Sequence, residues 1–165
     1  MENIFNTLSE SLFIELKNEE SLILAFSGEN SQFIRFNNAT VRQTGLIDDA
    51  DMKLKFIVNN RTVHGGFTVS GNFDTDIERG KVEISRMRME AKEIPEDPFV
   101  VLPENAGSSH EVKSANGLPF ENAVDAILPA VDGVDFVGIL ANGRMFRGNA
   151  NNLGQKHWFE TESYS

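Results

Sequence analysis

Near the start of the chain Ile4, Phe5, Leu8, Leu12, Phe13 and Leu16 recur every three or four residues, with Asn6, Ser9, Glu10 and Glu15 between them. That spacing predicts an amphipathic helix with one face to bury. The period then drops to two. Leu22 to Phe26 make a short apolar strand, closed by the turn-prone Ser27-Gly28-Glu29-Asn30, and Phe33, Ile34 and Phe36 make a second. A third runs through Val41 and Gln43 toward Leu46, and a fourth sets Leu54, Phe56 and Val58 against Lys53, Lys55 and Asn59. Asn59-Asn60 offers a tight turn, because asparagine tolerates positive φ, and Val63, Phe67 and Val69 continue beyond it. Consecutive strands joined by short turns predict an antiparallel meander rather than βαβ units.

Helical spacing returns from Asp74 to about Ile94. Ile77, Ile84, Met87, Ala91 and Ile94 mark the buried side, Asp74 and Asp76 suit the positive end, and Pro95 and Pro98 stop the helix. Pro103 to Gly117 reads as a loop, and a short helix restarts near Pro119 with Phe120, Val124 and Ile127 on one face. Val134, Phe136, Gly138 and Leu140 then alternate with Val137 and Ile139. Asn142-Gly143 is the strongest hairpin signal in the chain, Met145 to Arg147 returns from it, and His157 to Thr161 forms a last strand. The predicted fold class is α+β: one domain, residues 1–165, whose meander-rich antiparallel sheet is flanked by two longer helices and one shorter one. Strand chemistry reaching almost to Ser165 makes the chain read as cut from a longer polypeptide.

Composition narrows the function. Fifteen Lys and Arg against 25 Asp and Glu give a net charge of −10, a field that opposes nucleic acid and anionic lipid, so direct nucleic-acid binding is not expected. There is no cysteine, which removes disulfides, thiolate nucleophiles and zinc-thiolate sites. No basic, apolar leader and no apolar run of membrane-spanning length occurs, so a cytoplasmic, membrane-free setting is expected.

The motif search finds little chemistry. His64, His110 and His157 are scattered, and His110-Glu111 is followed by Ser114 and Ala115 rather than a second histidine, so no metal helix is present. Asp48-Asp49-Ala50-Asp51 lacks the alternating ligands of a calcium loop and reads as a solvated inter-strand loop. Gly65-Gly66 belongs to no phosphate-binding motif and suits a bulge or a close backbone approach. Ser108-Ser109-His110 is adjacency in sequence, not a catalytic geometry. The bases of the second helix, Arg79, Lys81, Arg86, Arg88 and Lys92, alternate with Glu78, Glu83, Glu90 and Glu93 as on a solvated face. No catalytic residue and no metal ligand is assigned.

Three stretches, taken together, resemble the amino-terminal half of the TldD/PmbA proteins, the modulators of DNA gyrase. They are Arg35-Phe36-Asn37-Asn38-Ala39-Thr40-Val41-Arg42-Gln43-Thr44-Gly45; the strand-turn-strand from Leu54 to Arg61 with Gly65-Gly66, Ser70 and the helix ending at Pro95-Glu96-Asp97-Pro98; and Ala150-Asn151-Asn152-Leu153-Gly154 with Thr161 and Ser163. Their order and spacing agree from about Leu22 to Ser165. The turn Asn59-Asn60-Arg61 and the run His64 to Phe67 depart from the family pattern, as in a divergent branch. The resemblance implies a non-catalytic domain of a zinc metallopeptidase acting on unstructured peptides, assembled as a homodimer or a heterodimer of paralogues. The zinc and its His-Glu-x-x-x-His helix would belong to a region downstream of this segment. The domain would wall the substrate cleft, present a sheet edge to a peptide, or contribute dimer contacts. Arg35, Asn37, Asn38, Asn151 and Asn152 are the candidate substrate-binding residues, a turn-forming role for the asparagines being the plainer alternative. A self-contained acidic adaptor that recruits a basic partner is the competing function, with an independent serine-histidine enzyme third.

Overall fold

The structure, a computed structural model, describes residues 1–114 and 120–164. In chain order it has α1 (Glu2–Ile14), β1 (Ser21–Asn37), β2 (Thr40–Val58), β3 (Arg61–Thr68), α2 (Phe73–Glu90), β4 (Ser109–Lys113), α3 (Ala123–Ile127), β5 (Gly138–Asn151) and β6 (Lys156–Tyr164). Short 3-10 turns, Phe120–Asn122 and Leu128–Val131, flank α3. The strands are ordered β3-β2-β1-β5-β6-β4, antiparallel except for one parallel pair, so the fold class is α+β as the patterning predicts. Leu153 is reached by Asn105, Lys156 by Ser108 and His157 by Ser109. That constant offset of 48 residues marks β4 and β6 as the pair that runs the same way.

Several boundaries differ from those read in the sequence, each for a tertiary reason. Ser27 to Asn30 is not a turn but lies within β1. A Cβ on Gly28 would come within 3.0 Å of the Ala50 side chain and the Asp49 carbonyl, so the glycine serves a close approach. The acidic run Asp48 to Asp51 is likewise inside β2, not in a loop. Asn142-Gly143 turns no hairpin: both residues lie within β5, and a Cβ on Gly143 would collide with the backbone of Asn30 and Ser31. The stretch from Pro103 holds a strand, β4, whose five residues are all exposed and so carry no alternation to read. The strand expected from Val134 begins at Gly138, and α2 ends at Glu90, short of Ile94. Pro119, expected to open the short helix, lies outside the described residues. The Asn59-Asn60 turn is present, with φ of 49° and 55°, and pairs Val58 with Arg61.

The chain divides into two compact units. The first comprises residues 1–28, 49–111 and 146–159, and its core is centred on aromatic rings. Trp158 stacks on Phe5 at 5.7 Å and on Phe146 at 6.1 Å, and tilts against Phe26 at 6.0 Å. Around this nest pack Leu8 and Leu12 of α1, Leu22 and Leu24 of β1, Leu54 and Phe56 of β2, and Ile84 and Met87 of α2. The second unit comprises residues 29–48, 112–145 and 160–165. Its smaller core joins Ile34 and Phe36 to Ala123, with Val41, Val124 and Ile127 packed alongside, and Phe36 meets Phe136 at 5.6 Å.

Within the first unit α2 caps the outer edge of β3. Arg86 donates to the His64 carbonyl at 3.3 Å, Glu83 accepts from the Gly66 amide at 3.1 Å, and Arg79 donates to the Thr68 carbonyl at 3.0 Å. Residues 64, 66 and 68 alternate along the strand, while 79, 83 and 86 share one helical face, so three side chains occupy main-chain groups that another strand would otherwise use. A Cβ on Gly66 would come within 2.8 Å of the Met52 carbonyl, a close backbone approach, whereas one on Gly65 would meet only the movable end of the Glu83 side chain.

A second polar anchor joins α2 to the end of α1. Arg88 donates to both Glu20 oxygens at 2.6 and 2.8 Å and to the Glu15 carbonyl at 2.5 Å, while the Lys17 amide donates to Glu20 at 2.8 Å. Burial pushes the Glu20 carboxyl up, but its bonds from Arg88 and from the Lys17 amide outweigh that and hold it below the ordinary 4.5. A carboxyl depressed in the folded state contributes stability above its unfolded pKa, and that contribution disappears as pH falls through the folded value. Urea midpoints measured from about pH 5 down to about pH 3 are therefore expected to fall for the native chain and to fall less steeply for Glu20→Gln. Parallel profiles for the two proteins would refute this role for Glu20.

Candidate functional site

The residues that the family resemblance marked first come together in the second unit. Asn38 and Ala39, with φ of 50° and 49°, make a two-residue turn between β1 and β2. This is the turn geometry that matches the twist of a hairpin, and here Asn38 and Ala39 adopt it without glycine. The Thr40 hydroxyl donates to the Asn38 carbonyl at 3.1 Å and braces it. Counting outward from the turn places Thr40 across from Asn37, Val41 across from Phe36, and Arg42 across from Arg35.

A shallow cleft of about 260 Å³ lies beside this hairpin, lined by Arg35, Phe36, Asn37, Arg42, Gln43 and Val137. Phe36 is 1% exposed and anchored by its ring contact with Phe136, so its side chain, on the face opposite Arg35 and Asn37, fixes the strand that carries them. Arg35, Asn37, Arg42 and Gln43 are exposed and supply the polar wall. The cleft offers two guanidiniums, which only donate, and two amides, which both donate and accept. Such a set can hydrogen-bond the alternating carbonyls and amides of an extended chain, but it contains no nucleophile and no general base.

Arg35 and Asn37 thus line one cleft, while Asn38 forms the turn beside it. Arg42 and Gln43 belong to the same matched segment, yet sequence reasoning did not single them out. The signal was the turn at Asn38-Ala39, which sets Arg42 opposite Arg35 and Gln43 opposite Ile34. Asn151 and Asn152 belong to the first unit, at the turn between β5 and β6. The Asn151 oxygen accepts from the Leu153 and Gln155 amides and its nitrogen donates to the Glu104 carbonyl and the Gln155 side chain. Asn152 accepts from the Leu22 amide at 2.9 Å and donates to the Glu20 carbonyl at 3.3 Å. The Asn151 amide thus holds that turn, and the Asn152 amide ties it to the start of β1.

A serine-histidine contact does occur in the first unit: Ser109 Oγ lies 2.8 Å from His157 Nδ1. It is an exposed cross-strand pair between β4 and β6, and among the described residues no third group orients the imidazole. His110 instead meets Glu2, and the two line an open cleft of about 350 Å³ with Ser109, Lys156 and Trp158. Among the described residues no group of three or more His, Asp or Glu is placed to hold a metal ion. The zinc that the family resemblance implies therefore finds no donor set on these residues. No helix among them is long and apolar enough to cross a membrane.

No protein-family model matches the sequence, and no curated protein matches it significantly. Solved structures do. A proposed modulator of a DNA gyrase from Thermotoga maritima aligns over 97% of this chain and 38% of its own length, with a TM-score of 0.68 and 14% identity. TldE from Thermococcus kodakarensis aligns over 98% and 37%, with a TM-score of 0.70 and 17% identity. A proposed modulator of DNA gyrase from Bacteroides thetaiotaomicron aligns over 99% and 39%, with a TM-score of 0.63 and 14% identity. The chain spans less than two fifths of each of them. Its architecture over nearly its whole length is thus the one found in part of TldE and of these gyrase-modulator proteins, the fold that its three matched segments implied.

Proposed function

We propose that this chain is a non-catalytic domain of a zinc peptidase of the TldD/PmbA kind, and that it holds unstructured peptide against the β1–β2 hairpin while the chemistry is done elsewhere. The observation that carries this reading is the structural match over 97–99% of the chain to proteins of which it covers only 37–39%. The cleft supports it, since Asn37 and Gln43 line it and each carries an amide that both donates and accepts. Zinc, where the assembled enzyme uses it, would be held by residues outside this segment. We place the protein in the cytoplasm, as a homodimer or paired with a paralogue.

An unstructured peptide incubated with this chain alone is expected to remain intact by mass spectrometry while binding to it in fluorescence anisotropy. Cleavage by this chain would overturn the non-catalytic assignment. The competing reading, an adaptor whose net charge of −10 recruits a basic partner, is favoured only by that charge. It predicts binding of polylysine that is indifferent to the cleft, whereas peptide binding by the cleft is weakened by Asn37→Ala or Gln43→Ala.

A further inference from the structure

The cleft carries an electrostatic anomaly that names part of its ligand. The chain has eight arginines and a surplus of acid, 25 Asp and Glu against 15 Lys and Arg. Arg61, Arg79, Arg86, Arg88 and Arg144 each meet a carboxylate, and Arg147 donates to the Phe146 carbonyl. In the same unit as the cleft, Arg144 has Glu160 at 3.2 Å and Glu162 at 4.0 Å. Arg35 and Arg42 alone among the described arginines have neither an ion pair nor a hydrogen bond. They are also cross-strand neighbours on one hairpin, where like charges oppose pairing. Two positive groups set side by side, in a chain with acids to spare, make a local site of repulsion that an anion bridging both would relieve.

We propose that Arg35 and Arg42 form a carboxylate-reading pair, so that the cleft selects peptides presenting an acidic side chain or a free C-terminal carboxylate; this rests on the peptide-binding reading above. Planar guanidinium forks match the two oxygens of a carboxylate, and two forks on adjacent strands can share one. The field of a chain at −10 opposes acidic ligands at long range, so the selection operates at contact distance. Asn37 and Gln43, which line the same cleft, then hold the neighbouring backbone, with Val137 as an apolar contact.

Three labelled, unstructured peptides of equal length test this by anisotropy: one neutral and amidated, one with a free C-terminus, and one amidated with a single internal Glu. The carboxylate-bearing peptides are expected to bind about tenfold more tightly than the neutral one, about 1.4 kcal/mol. Arg35→Gln and Arg42→Gln are each expected to abolish most of that difference, and Lys at either position to restore part of it. The free C-terminus and the internal Glu identify which source of carboxylate is read. Circular dichroism checks that the Gln variants keep their fold, as expected for a change that removes a repulsion. Equal binding of all three peptides, or a preference that survives both Gln substitutions, overturns the carboxylate assignment and leaves peptide binding standing. Failure of every peptide to bind removes the peptide-binding reading itself.

Discussion

Replacing Phe5 by alanine is expected to lower the stability of the protein by about 4 kcal/mol, in the range measured for large aromatic truncations in cores. Phe5 is 0% exposed, stacks on Trp158 at 5.7 Å and tilts against Phe26 at 5.8 Å. Its ring also fills the space above Gly148, where a Cβ would come within 3.0 Å of it. Truncation leaves a void bounded by two rigid rings and a glycine in a strand, none of which can swing in to close it. The transfer free energy of the ring and the cavity left behind therefore both count against the folded state. Urea denaturation gives the number directly, provided the slope stays unchanged. A loss below about 2 kcal/mol would mean that the aromatic nest relaxes and that α1 is not held by this residue.

Replacing Asp76 by alanine is expected to cost about 3 kcal/mol, a figure typical for leaving several donors to a buried carboxylate unpaired. Asp76 is 1% exposed. Its two oxygens accept from the Ser70 amide at 2.9 and 3.1 Å, from the Ser70 hydroxyl at 2.8 Å and from the Gly71 amide at 3.0 Å, with Arg79 at 3.5 Å. This carboxylate closes the connection between β3 and α2, where Gly71 takes a φ of 81°. Asn72 caps the same helix by accepting from the Thr75 amide at 3.0 Å. Alanine strands the Ser70 and Gly71 donors, while Asp76→Asn keeps one acceptor and should fall between. Asp74→Ala, at an exposed position in the same first turn, is the control and should change stability little. If Asp76→Ala matched that control, the loop would be held by the cap alone.

Much of this fold could be read from periodicity because its helices and inner strands each bury one face. The spacing of Phe5, Leu8 and Leu12 identified α1, and the alternation of Leu54, Phe56 and Val58 identified the inner half of β2. Asn59-Asn60 was legible because its turn chemistry is local. Gly28 and Asn142-Gly143 misled for the opposite reason: their composition suits a turn, but the glycines answer to strands packed against them. β4 was invisible because an edge strand exposed on both faces has no pattern. In the cleft, Arg35 and Asn37 were legible from the matched segment, whereas Arg42 and Gln43 required the register set by a turn that lacks glycine. Asn151 and Asn152 show the limit of the same reasoning, since a matched motif identifies a position without saying whether its amide faces outward or stitches the backbone to itself.

The three side-chain grips of α2 on the main chain of β3 have a consequence for how the protein fails. Heating that loosens the helix before the sheet would bare a row of main-chain donors and acceptors at Arg79, Glu83 and Arg86's former contacts, a template onto which a neighbouring molecule can zip. Loss of solubility, rather than reversible melting, is the natural end of that route.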